Sequence, residues 1–172
     1  KFSITLQHNS KPLKEKDASF MLEWMHDDDV VAKLGTNFKE KTIDDCIRFI
    51  EGSSNESADL HLAVVDHKDT YMGTVSLKHI DKLEKIAEFA ITVRRSAMGK
   101  GYSKYGMSEI IRIGIEELGL ENIYWCVSIE NARAIRFYDK NGHQRATDVP
   151  ENIKGHYSNE QLAKFLWYVV GK

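Results

Sequence analysis

The sequence predicts one α/β (α+β) domain on a mixed sheet, and three observations lead there. Ile86–Val93, a long helical pattern and 123–128 read as strand, helix, strand, so the two strands are parallel and joined by a right-handed crossover. The runs 60–65 and 71–77 are separated by five turn-forming residues, the spacing of an antiparallel hairpin. At 172 residues the chain fits one compact domain, residues 1–172, with a sizeable core.

The elements follow in order. Residues 2–6 alternate as a first strand, and 11–16 form a polar connector containing Pro12. Asp17 caps a helix with Phe20, Met21, Trp24 and Met25 on one face. The run Asp27-Asp28-Asp29 ends that helix and caps the next; it could also attract an amine. Thr42 caps a second helix, with Asp45 three residues on and Ile43, Ile47 and Ile50 as its apolar stripe. Residues 52–57 form a loop and 80–85 a connection.

In the strand 86–93, Ala87, Phe89, Ile91 and Val93 face one way; Glu88, Ala90 and Thr92 face the other. The next helix carries Met107, Ile110, Ile111, Gly114, Ile115 and Leu118 at helical spacing and ends at Gly119. A fourth helix covers 131–140, closed by Gly142. A weak strand at 143–147, a polar segment at 148–163 and a strand at 165–170 complete the chain.

Composition narrows function. A formal net charge of -2 points to neither nucleic acid nor an anionic membrane as a partner. No apolar run is long enough to cross a bilayer and no signal-peptide core is evident. The two cysteines, Cys46 and Cys126, sit in regular segments with apolar neighbours and read as buried thiols in a reducing cytoplasm. The seven histidines form no metal-ligand pattern, so no metal is expected.

The most informative segment is Arg94-Arg95-Ser96-Ala97-Met98-Gly99-Lys100-Gly101-Tyr102-Ser103, which joins a strand to a helix N-terminus. Free backbone N–H groups and the helix dipole favour an anion there, and glycines let it approach the backbone. Arg94, Arg95, Lys100 and Lys104 add positive charge. A helix-opening turn would use the same residues. A dinucleotide fingerprint needs glycine where Lys104 stands, and a P-loop needs Gly-Lys-Ser/Thr where Gly106-Met107 stands. The second motif runs from Asn131 to Gly142. Asn131, Ala134 and Tyr138 share one helical face.

Loop and Asn-x-x-Ala-x-x-Phe-Tyr-x-x-x-Gly helix together resemble the GCN5-related N-acetyltransferase (GNAT) superfamily, and the element order matches along the whole chain. The N-terminal helices, with Trp24 before an acidic run, resemble the branch of ribosomal-protein N-terminal and amino-sugar N-acetyltransferases. One departure is visible: Ser96 stands where the family has Gln or Arg.

The resemblance implies a mostly antiparallel sheet with a splayed parallel pair, flanked by about four helices. It implies acetyl-CoA as co-substrate, with pantetheine along Ile91, Thr92 and Val93 and pyrophosphate on Met98, Gly99, Lys100, Gly101, Tyr102 and Ser103. Asn131, Ala134 and Tyr138 would line the thioester end. Tyr138 is the candidate acid for the leaving thiolate, and the N–H near Val93 a candidate oxyanion donor. Glu88 is the candidate base; it could equally be a strand carboxylate paired to a lysine. The expected acceptor is a primary amine, an amino sugar by preference, with Trp24, Phe38 and Tyr157 as candidate walls. Peptide N-termini, polyamines and aminoglycosides stay open, as does a non-catalytic acyl-CoA binder. The near-neutral charge disfavours polyamines. Such scaffolds are usually monomers or homodimers.

Overall fold

In the computed structural model, residues 9–32, 34, 37–53 and 59–171 are described. The strand expected at 2–6 lies outside them. Seven strands form one sheet in the order β1-β2-β3-β4-β5-β7-β6: β1 Asn9–Pro12, β2 Leu60–Val65, β3 Tyr71–Asp81, β4 Ile86–Val93, β5 Asn122–Ser128, β6 Gln144–Arg145 and β7 Phe165–Gly171. Every neighbouring pair is antiparallel except β4 and β5. The mixed sheet is the one expected. Pro12, read as connector, ends the edge strand β1, where its missing N–H breaks no inner ladder.

Helices α1 (Ala18–Met25), α3 (Ile43–Ser53), α4 (Tyr102–Arg112) and α5 (Ala132–Lys140) are the four expected from the sequence. Three single-turn helices join them: α2 (Asp28–Val31), α6 (Glu151–Lys154) and α7 (Asn159–Leu162). The last two lie in the segment that reads as merely polar; they form because Val149 and Ile153 are buried against Ile86 and Trp167.

One face of the sheet packs on α4 and α5, joining Val75, Leu77, Ala87 and Phe89 to Met107, Ile110 and Tyr138. Helices α1 and α3 cover the β1–β3 half of the other face, where Met21, Trp24, Cys46 and Ile50 meet Ala63, Val65 and Tyr71. The segment holding α6 covers the remaining part of that face. Gly106 brings α4 close to the sheet: a Cβ there would stand 2.7 Å from Val75 Cγ1 and 3.1 Å from Ile91 Cδ1. After Arg112 the helix widens into a π turn, Ile113–Glu117, and Leu118 leads into Gly119 at φ 70°.

Strand β3 runs on to Asp81, four residues past the expected end, because an irregularity lets it pair further. The register with β4 shifts between Lys78 and Asp81, placing one extra residue on β3. His79 takes up this bulge at φ 55°, a conformation few side chains adopt, and its N–H donates to Asp59 Oδ1 at 2.9 Å.

Candidate active site

The loop after β4 has the geometry of an anion cradle. Gly99 (φ 74°) and Gly101 (φ 90°) use backbone conformations that L side chains resist. Gly101 occupies the N-cap of α4, and no side chain caps the helix. The N-terminus of α4, where backbone N–H groups and the helix dipole favour an anion, opens on this loop.

The two arginines expected beside the cradle are drawn elsewhere. Arg94 makes a bidentate pair with Glu23, both bonds 2.7 Å, and lies over the Phe20 ring. Arg95 reaches Asp27 (Nε to Oδ2 2.8 Å) and Asp29 (2.8 Å). Lys100 and Lys104 enter no ion pair among the described residues. The acidic run is therefore a cap and an arginine clamp: Asp27 accepts from the Asp29 N–H, and the Arg95 guanidinium holds its carboxyl below the usual range.

The sheet opens where the sequence motifs converge. Parallel pairing joins β4 to β5 only over Ile86–Glu88 and Asn122–Tyr124. Beyond that rung β4 pairs with β3 alone and β5 with β7 alone. Ile91, Thr92 and Val93 lie on one arm of the wedge, and α5 follows the other. Asn131 caps α5 through Oδ1, which accepts from the Ala134 N–H at 3.2 Å, so its amide nitrogen remains available.

Tyr138 is nine-tenths buried, packed against Trp125, Tyr168 and His143. Among the described residues its hydroxyl makes no hydrogen bond. Burial pushes the phenol up to about 12, with Tyr168 and Cys126 adding to the effect. It is a neutral donor at pH 7.

Glu88 sits at the vertex of the wedge and is 1% exposed. Its Oε2 accepts from Tyr157 Oη at 2.5 Å, and its Oε1 lies 3.1 Å from His79 Nδ1. Lys78 Nζ and Cys126 Sγ each stand 3.9 Å from Oε2. The carboxylate thus lies at the vertex with Lys78 beside it, the kind of lysine partner weighed from the sequence. The sequence did not single out His79, because only the bulge turns it to the face that Glu88 occupies. Tyr157, expected as a wall, is instead a partner of Glu88; burial and the Glu88 charge push its phenol far up. Burial, with the Glu88 charge, raises the Cys126 thiol to about 12, and burial raises Cys46 too, which leaves both as structural thiols.

A cleft of about 530 Å³ opens between α1, α3 and the sheet. Thr74, Ser76, Lys78, Ala90, Ile91 and Thr92 line its β3–β4 side, so it reaches the arm of the wedge. Trp24 and Phe38 line it, together with Lys41, Arg48 and His61. His61 Nδ1 lies 2.6 Å from Ser76 Oγ, and burial lowers the imidazole's basicity. Among the described residues no group of three or more His, Cys, Asp or Glu could hold a metal ion, and no helix is long and apolar enough to cross a membrane.

A model of the acetyltransferase (GNAT) domain matches residues 11–144. The chain belongs to the GNAT family. A spermidine N(1)-acetyltransferase of Vibrio cholerae is 26% identical over 107 residues, 61% of this chain. The match spans 62% of that relative's length. A Vibrio cholerae spermidine N-acetyltransferase crystallised with CoA and spermine superposes with a TM-score of 0.79 at 19% identity, covering 96% of this chain and 95% of the other. A dodecameric form of the Vibrio cholerae enzyme superposes at 0.71 with 20% identity, covering 96% and 94%. These likenesses establish the GNAT fold. These three are spermidine N-acetyltransferases, whereas the N-terminal helices resemble the branch of ribosomal-protein N-terminal and amino-sugar N-acetyltransferases.

Proposed function

We propose that this GNAT protein transfers the acetyl group of acetyl-CoA to a terminal primary amine of a polyamine-class acceptor. The observation that carries the reading is the cleft that opens on Ala90, Ile91 and Thr92, the arm of the wedge freed from β5. Acetyl-CoA would lie in the wedge, with pantetheine along Ile91–Val93, pyrophosphate on Met98–Ser103, and Asn131 and Ala134 beside the arm. The acceptor would come from the cleft. The polyamine class is favoured by the relatives' names.

In this reading the ammonium acceptor loses its proton toward Glu88 through Tyr157 Oη, which already donates to the carboxylate. The amine attacks the thioester carbon. The Val93 region of the backbone offers an N–H to the oxyanion, and Tyr138 donates its phenolic proton to the departing thiolate.

A second reading has its own observation. Lys41, Arg48 and Lys78 line the cleft, with Arg48 paired to Asp45 at 2.5 Å and Lys78 3.9 Å from Glu88, which leaves Lys41 outside any ion pair among the described residues. An amine that also bears an anionic group, such as a nucleotide-linked amino sugar, would suit this lysine.

Free-thiol release from acetyl-CoA, measured with spermidine, a nucleotide-linked amino sugar, an N-terminal peptide and an aminoglycoside, separates the two. Turnover with spermidine supports the main reading, and turnover with the amino sugar alone supports the second. Acetyl-CoA binding with no release on any amine overturns both. The monomer or homodimer expected for the chain is checked by light scattering, with the relative's dodecamer as the contrast.

A further inference from the structure

We infer that His79 is the route by which the proton taken up by Glu88 leaves the protein. The inference rests on the reading of Glu88 as base. A base buried to 1% must return its proton to solvent on every turnover, and most of its surroundings offer no way out. Tyr157 Oη faces it on the side of the α6–α7 segment, where burial and the Glu88 charge keep the phenol protonated. The Cys126 thiol faces it from β5 and is likewise held protonated. Lys78 Nζ faces it from β3 at 3.9 Å. Tyr157 delivers the proton from the acceptor side, and among the described residues around Glu88 it is His79 Nδ1, 3.1 Å from Oε1, that can carry it onward to water near neutral pH.

The backbone is shaped for this contact. In regular pairing Lys78 and His79 would point to opposite faces of the sheet. The extra residue in β3 and the positive φ of His79 put both against the same carboxylate. The Asp59 side chain holds the strained residue through its N–H. Irregular strands and rare backbone conformations of this kind gather at functional sites. Outside the carboxylate, His156 stacks on His79 with ring centroids 3.6 Å apart and planes 3° from parallel. His156 is exposed, and the His79 side chain itself remains 22% exposed.

The transfer balances without a co-reactant. In the tautomer carrying its proton on Nε2, His79 accepts the Glu88 proton at Nδ1 and releases the Nε2 proton to water. Glu88 returns to carboxylate, and a turn of the ring that brings its Nδ1 proton to water, with Nε2 reprotonated there, restores the first tautomer. Burial lowers the His79 basicity; Glu88 opposes this, while His156 and Lys78 add to it. The ring therefore passes the charge on instead of keeping it.

The test uses multiple-turnover thiol release with saturating acetyl-CoA and spermidine, or whichever panel amine turns over, in dilute buffer. His79→Gln keeps a polar side chain in the bulge. Its kcat should fall about a hundredfold or more, the lower end of general acid–base contributions, with both KM values unchanged. Added imidazole should restore the rate, and the lower limb of the pH–kcat profile should move. His156→Ala, which leaves the Glu88 contact intact, should show a smaller loss rescued in the same way. Glu88→Gln should be inactive with or without imidazole. A normal rate in folded His79→Gln, or a loss that imidazole does not restore, overturns the inference while Glu88→Gln still reports on the base. An active Glu88→Gln, or no turnover with any amine, overturns the base reading and the exit route with it.

Discussion

Glu88 of β4 and Tyr124 of β5 form the last rung of the sheet's parallel pairing, and past them the two strands part. That rung puts a buried carboxylate at the head of a wedge. The helix-opening loop lies at the end of one arm, and Tyr138 is on the helix that follows the other. The antiparallel β5–β7 ladder continues to Ser128–Phe165, so β5 holds its course without β4. The opening is thus built into the strand order and needs no disordered segment.

Tyr138→Phe tests the acid. The ring is held by aromatic contacts that Phe retains, so the melting temperature should change little. The thiol-release rate should fall about a hundredfold or more, the scale of a lost proton donor, with acetyl-CoA affinity intact. Equal rates would assign the hydroxyl a packing role only.

Arg95→Ala separates two uses of a basic side chain. Its guanidinium is paired with Asp27 and Asp29. The variant should keep its affinity for acetyl-CoA by calorimetry, while the turn between α1 and α2 loosens in hydrogen exchange. A large loss of cofactor affinity would mean that the side chain leaves the aspartates for the pyrophosphate.

Gly106→Ala probes how closely α4 must approach the sheet. The added methyl meets Val75 Cγ1 at 2.7 Å and Val64 Cγ2 at 3.0 Å, both inside a packed core. Overpacking of this kind costs about 1–3 kcal/mol. Urea unfolding should show that loss, and acetyl-CoA affinity should drop as the helix carrying the cradle is pushed outward.

Stability should fall on mild acidification. Burial lowers the pKa of His61, His79 and His143 from the usual 6.5 in the folded chain. The unfolded chain therefore binds more protons once the pH drops through about 6.5, and stability declines with it. Thermal melts from pH 8 to 5 should show the decline beginning near pH 6.5. His61→Asn should flatten it; a curve unchanged in that variant would remove His61 as a contributor.

Much of this was legible before any tertiary structure. The change from helical spacing to alternation located six of the strands and the four longer helices, because periodicity records which side of an element is buried. The glycines of 99–101 and the face shared by Asn131, Ala134 and Tyr138 are local features, and they led to the right family. Local pattern also placed Glu88 on the face away from the apolar row. It missed α6 and α7, whose apolar content is too sparse to show a period, and the final residues of β3, where the bulge breaks the alternation.

The sequence by itself determined the elements, the mixed sheet and the residues around which a cofactor site could form, since each depends on neighbours within a few positions. Only the tertiary structure decided what those residues face. Arg94 and Arg95 read as positive charge beside the phosphate loop until α1 and the turn after it place carboxylates against them. Glu88 reads as a candidate base or as a strand carboxylate paired to a lysine until Tyr157, 69 residues away, reaches its oxygen. Charge and hydrogen bonding act over a few ångströms, and which groups come that close is set by packing between distant segments.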